Sequence, residues 1–149
     1  MNHILPAMAA GASAGGILLL LSHVAPLFGA GNFVRDLDQP KLLGRDVTRR
    51  EAHIAGMLIH LLVSIVGGGG YAFLISTGVI SNFHFLPILA WSGIIALVMG
   101  GIVLPLEGHG VFGFKEDAWF PIDLLLTNVL WAILFWWLMR VWIGLAVFS

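Results

Sequence analysis

The sequence predicts an all-α integral membrane protein, a bundle of four transmembrane helices forming a single domain over residues 1–149. Three observations predict it. Of the 149 residues, 59% are hydrophobic and only 10% are charged, against roughly 25% charged in soluble domains. Four apolar stretches each reach the ~20 residues that a helix needs to cross a hydrocarbon core of ~30 Å. These stretches are too long and too evenly apolar for barrel strands, so helices are left to satisfy the backbone in lipid. A net charge of −1 with neutral histidines provides no basic field for nucleic acid, and no such partner is expected. The chain has no cysteine, which excludes disulfides, iron–sulfur clusters and thiolate metal sites.

The first span is expected over residues 4–28. Met1-Asn2-His3 lacks the basic start of a signal peptide, and the apolar run exceeds the length of a cleaved one, so the run is expected to be a membrane span. Pro6 suits its first turn. Ala7, Gly11 and Gly15 follow at four-residue spacing, a stripe of small residues against which another backbone can pack. The first loop carries Arg35, Lys41, Arg45, Arg49 and Arg50. Between Leu37 and Val47 apolar and charged residues mix, which fits either a segment lying on the membrane surface or a solvated loop.

The second span is expected over residues 52–75. Thr48-Arg49-Arg50-Glu51 reads as a capping box, so the helix should begin about a turn before the span. Gly56, His60, Ser64 and Gly68 repeat the four-residue spacing. The run Gly67 to Gly70 lowers helix propensity by up to ~1 kcal/mol per residue. A neighbouring helix, or a flat ligand on the bare backbone, is expected to compensate. The third span, residues 85–106, carries Ser92, Ala96 and Gly100. The fourth, residues 121–145, opens with Pro121 and with Asp123 at the positive end of the helix dipole. Its Trp131, Trp136, Trp137 and Trp142 give it a bulky face suited to lipid or to a partner protein. Every Lys and Arg except Arg140 lies in the first and third loops. The positive-inside rule therefore expects those loops in the cytoplasm, with both termini outside.

Polar residues gather in the inner half of the spans. His23 and His60 both lie roughly 8–12 Å from the cytoplasmic side by helical rise, and Asn128 reaches a similar depth. His53 shares nearly the same helix face as His60, two turns closer to the loop. Glu107, His109, Glu116, Asp117 and Asp123 collect where the third and fourth helices meet the cytoplasm. Three readings stand open. His23, His60 and Asn128 hydrogen-bond between helices, each bond worth ~0.6 kcal/mol. Alternatively His23 and His60 ligate a b-type haem or a metal through imidazole nitrogen. Or the histidines and carboxylates form a proton or ion route opening to the cytoplasm.

One local pattern is distinctive. Pro105-Leu106-Glu107-Gly108-His109-Gly110-Val111-Phe112-Gly113 has the form P-x-x-G-x-G-x-F-G directly after a span. The three glycines permit positive φ in a tight turn, and Phe112 and Phe114 are expected to dip into the membrane interface. Together with Gly56 to His60 and Tyr71-Ala72, this pattern resembles an uncharacterised family of small four-helix prokaryotic membrane proteins. The last helix of that family often carries a histidine where this chain has Thr127-Asn128. The resemblance implies the four-helix fold and a prokaryotic inner membrane.

The expected function is that of a non-catalytic accessory subunit in a larger membrane complex, of a respiratory or other electron-transfer kind. Its partners would be lipid and other integral membrane subunits. The alternatives are a small haem- or metal-binding redox protein using His23 and His60, and a self-associating bundle with a proton-linked or stress role.

Overall fold

The computed structural model describes residues 3–24, 41–42, 45–115 and 118–147. Among the described residues, four helices are long and apolar enough to cross a membrane. They are α1 (Ile4–Val24), α2 (Arg49–Ser76), α3 (Phe85–Leu106) and α4 (Phe120–Val147). Between α1 and α2, β1 (Lys41–Leu42) pairs antiparallel with β2 (Arg45–Asp46) in a two-residue ladder, Lys41 opposite Asp46. The residues expected at the end of the first span, 25–28, lie outside the described residues.

The helix ends follow the local chemistry. Thr48 is the N-cap of α2. Its hydroxyl accepts the Glu51 N–H at 3.2 Å, and the Glu51 carboxylate accepts the Thr48 N–H at 2.9 Å. That reciprocal pair satisfies two donors that a helix start would otherwise leave open. Pro121 sits in the first turn of α4, where its missing N–H removes no helical bond.

α1 packs against α2 and α4, and α3 packs against α4. The α1–α2 crossing is set by missing side chains. A methyl group at Gly11 would fall on the Ser64 carbonyl, and one at Gly68 would fall on the Ala7 carbonyl. The two backbones touch there, the close approach that small residues allow. Gly15 faces the Ser64 side chain four residues further along. The crossing is local. Gly56, expected on the same packing stripe, has nothing within 4 Å of where a Cβ would lie.

Each glycine of the four-glycine run has a protein neighbour packed against it. Gly67 takes the Ile95 side chain and the edge of the Trp131 indole, Gly68 takes the α1 backbone, Gly69 takes Met8, and Gly70 takes the Trp91 ring. The Trp91 indole also donates its N–H to the bare Gly67 carbonyl at 2.9 Å. Neighbouring helices thus compensate for the low propensity of the run. Next to it, fully buried Tyr71 donates its hydroxyl proton to the Asn82 carbonyl at 2.9 Å, tying the α2–α3 loop down onto the bundle. The rest of the core is aromatic and aliphatic: Ile88, Trp131, Phe135, Leu138 and Met139. Trp131 stacks on Phe135 with centroids 4.8 Å apart.

α3 is not a uniform α-helix. Residues Met99–Val103 form a π turn, in which the Leu104 N–H reaches back to the Met99 carbonyl. Pro105 gives the reason: it supplies no N–H to the Gly101 carbonyl, and its ring crowds that position. Gly100 and Gly101 let the backbone widen there at no side-chain cost. Beyond α3, Gly108, Gly110 and Gly113 all take positive φ, as the turn pattern predicts. Phe112 joins them at φ 52°, a conformation that non-glycine residues rarely adopt. Its ring stands on the bare backbone of Gly100. It therefore packs on α3, whereas Phe114 is 64% exposed.

Candidate functional site

The register of the α1–α2 crossing decides which polar groups meet. Gly11 faces Gly68 and Gly15 faces Ser64, so each step of four along α1 moves four back along α2. Continuing two more steps takes His23 to the turn around Gly56, one turn from His53. The structure accordingly pairs His23 with His53, Nε2 to Nε2 at 3.2 Å. The rings meet edge to face with centroids 5.2 Å apart. His23 Nδ1 lies 2.7 Å from the Leu19 carbonyl. A carbonyl only accepts, so this contact puts the proton of His23 on Nδ1 and leaves Nε2 as an acceptor facing His53.

His60 stands seven residues further along α2, with its ring edge 3.8 Å from where a Gly15 Cβ would lie. It lines a cavity of about 60 Å³ between α2, α3 and α4, together with Ser64, Met99, Thr127, Asn128 and Trp131. Among the described residues, two polar atoms here are buried without a hydrogen-bond partner: His60 Nε2 and Trp131 Nε1. Trp131 is only 4% exposed. Thr127 and Asn128 satisfy themselves on their own helix, donating to the Asp123 and Leu124 carbonyls at 2.8 and 2.9 Å. They therefore do not reach across to His60, and the expected inter-helix bond between His60 and Asn128 is absent among the described residues.

Volume decides what this space holds. A cavity of about 150 Å³ takes a benzene ring, and a single water needs roughly 10–15 Å³. At about 60 Å³ the space beside His60 suits a few waters held by His60, Trp131 and Ser64. The acceptor face of His23 is turned toward His53.

At the turn after α3, His109 Nε2 lies 3.8 Å from a Glu107 carboxylate oxygen, and both side chains are largely enclosed. The His109 ring lies against Phe120 at 6.0 Å between centroids. Burial pushes the Glu107 carboxyl above its usual range. Asp123 sits in the first turn of α4. Asp117, expected in this cluster with Glu116, lies outside the described residues. Among the described residues no three His, Asp or Glu side chains converge as a metal cage.

Among the described residues the arrangement holds three separate polar centres: the His23–His53 pair, the His60 cavity, and the Glu107–His109 turn. Sequence reading named every one of these residues but coupled His23 to His60. The glycine stripes themselves carried the missing signal, since meshing Gly11 with Gly68 fixes the antiparallel register. The sequence marks Trp131 only as part of the bulky face of the fourth helix, and its N–H beside His60 follows from the packing. Comparison of this chain with protein-family models, with curated proteins and with solved structures finds no match.

Proposed function

We propose that this chain is a non-catalytic accessory subunit of a larger assembly in a prokaryotic inner membrane, with its first and third loops on the cytoplasmic side. The observation that carries the reading is one continuous apolar face on α4. Ile122, Leu126, Ile133, Trp137 and Val141 recur at helical spacing, and each is 38–54% exposed. Only 22–33% of the most apolar window of each candidate span is buried inside the chain. The remaining surface needs apolar cover, and a tryptophan on such a face suits a protein partner, since aromatic anchors dominate interface energetics. Arg140 stands over the Trp136 ring at 5.1 Å, which places a cation about two turns before the end of this helix, where its long side chain can reach a lipid headgroup or an acidic partner group. The electron-transfer character of the assembly is an expectation from sequence, and the companion itself decides it.

The test is extraction from native membranes in mild detergent, after in-membrane crosslinking, followed by size-exclusion chromatography and mass spectrometry. The reading predicts a companion at fixed ratio that is lost on Trp137→Ala. A haem or flavin absorption band in that companion would support the electron-transfer assignment. Migration of the chain alone, crosslinked or not, contradicts the subunit reading. A companion that proves to be a second copy of the chain moves the reading to self-association.

A further inference from the structure

We propose that His23 and His53 form a two-imidazole binding site for a transition-metal dication such as Zn²⁺ or Cu²⁺, at the end of the bundle that bears the first loop. The proposal is independent of the subunit reading and rests on geometry. Metal–imidazole bonds of 2.0–2.1 Å at a tetrahedral angle set two ligand nitrogens ~3.3 Å apart, whereas two imidazoles on opposite sides of one ion stand ~4 Å apart. The Nε2 atoms of His23 and His53 are 3.2 Å apart, the spacing of neighbouring ligands on a tetrahedral ion.

The orientation of His23 adds a second observation. Its Nδ1–H donates to the Leu19 carbonyl at 2.7 Å. Metal-bound histidines commonly carry such an outer bond, which fixes the tautomer, orients the ring and raises ligand basicity. His23 is thus held with Nδ1 committed to the carbonyl and its Nε2 lone pair on the side that faces His53. His23 is exposed and His53 half-buried, so an ion and its remaining water ligands have access. Without metal, the His53 Nε2–H donates to His23 Nε2. Binding requires that proton to move to Nδ1 of His53, which leaves both rings neutral and both Nε2 lone pairs on the ion. Imidazole ligands select Cu, Zn and Ni over Mg or Ca. Two imidazole ligands among the described residues, completed by water, give a moderate affinity below that of closed four-ligand sites.

The experiment is calorimetric titration of Zn²⁺ and of Cu²⁺ into the full chain in detergent, purified on a tag without histidine. We expect one equivalent bound, with affinity at least about tenfold weaker in His23→Ala and in His53→Ala and unchanged in His60→Ala. His53→Gln separates ligation from folding, because its amide still donates to His23 Nε2 but does not replace an imidazole. It should keep wild-type helicity and lose the metal. The Cu²⁺ electron paramagnetic resonance spectrum should show two equivalent imidazole nitrogens. Equal metal affinity in the wild type and His53→Gln, or no binding above that of the His23→Ala/His53→Ala double variant, overturns the proposal.

Discussion

Single residues in this chain show how its polar groups are tuned. Glu107 sits enclosed beside His109 at the turn after α3, and burial raises its carboxyl above the usual range. A carboxyl with a raised folded-state value keeps its proton longer in the folded chain than in the unfolded one. The folded state is therefore favoured most in acid. That advantage is lost as pH rises from the ordinary carboxylate value of 4.5 through the raised one. Glu107→Gln removes the titration. Thermal unfolding in detergent should show the variant close to wild type in acid and more stable near neutrality, by about 2–4 °C for each ~1 kcal/mol. A Glu107→Gln advantage that is the same at every pH would show that burial does not act on this carboxyl. Phe112 is a different kind of tuned residue. Its positive φ is held because its ring fills the space that Gly100 leaves open. The sequence pattern marks Gly108, Gly110 and Gly113 as left-handed by residue type. It gives no such mark to Phe112, whose conformation follows from a contact with another element.

At the scale of elements, the α1–α2 crossing makes the sharpest prediction, because two glycines of one helix should respond with opposite sign. Gly68 has the α1 backbone against it, so Gly68→Ala forces the helices apart and should destabilise by about 1–3 kcal/mol. Gly56 has open space at the same position, so Gly56→Ala gains helix propensity and should stabilise by up to ~1 kcal/mol. Steric-trap unfolding in bicelles measures both, and equal effects would mean that the crossing is not where the structure puts it. Much of this level was legible in the sequence. The capping box at Thr48 and Glu51 is local chemistry, and the stripes at Gly11, Gly15 and Gly68 follow from helical period alone. The π turn at Met99–Val103 was not legible, though Pro105 and the Gly100-Gly101 pair were its causes. A widened turn depends on how a helix resolves a proline clash against its neighbours. The His23–His53 pair was missed for a related reason. Depth along the span suggested His60, but partners across antiparallel helices are set by register, and register is fixed elsewhere, at the glycines.

For the whole molecule, the four helices form an open set of contacts, with α1 joined to α2 and α4, and α3 joined to α4. α2 and α3 meet at Trp91 and the glycine run. Toward His60 and Met99 they leave the small cavity that collects two polar atoms without a partner among the described residues. Composition and span length carried the four-helix architecture into the sequence reading. The cavity was beyond it, because a void depends on the relative rotation of three helices. Large apolar side chains stand outward along all four, Leu20, Leu62, Leu86 and Leu125 among them, each more than half exposed. A surface of that kind in water would associate or precipitate, and in hydrocarbon it is the solvated face. Membrane residence with the basic loops inside is the claim on which the functional proposals rest. The chain has no cysteine, so single-cysteine variants report the environment of one site without background. We would introduce Ser81→Cys between α2 and α3, and Arg45→Cys before α2, and treat intact cells with a membrane-impermeant thiol reagent. The account predicts that both variants sediment with membranes, that Cys at position 81 is labelled in intact cells, and that Cys at position 45 is labelled only after permeabilisation. Recovery of the chain in the soluble fraction, or labelling of both positions from outside, would contradict it.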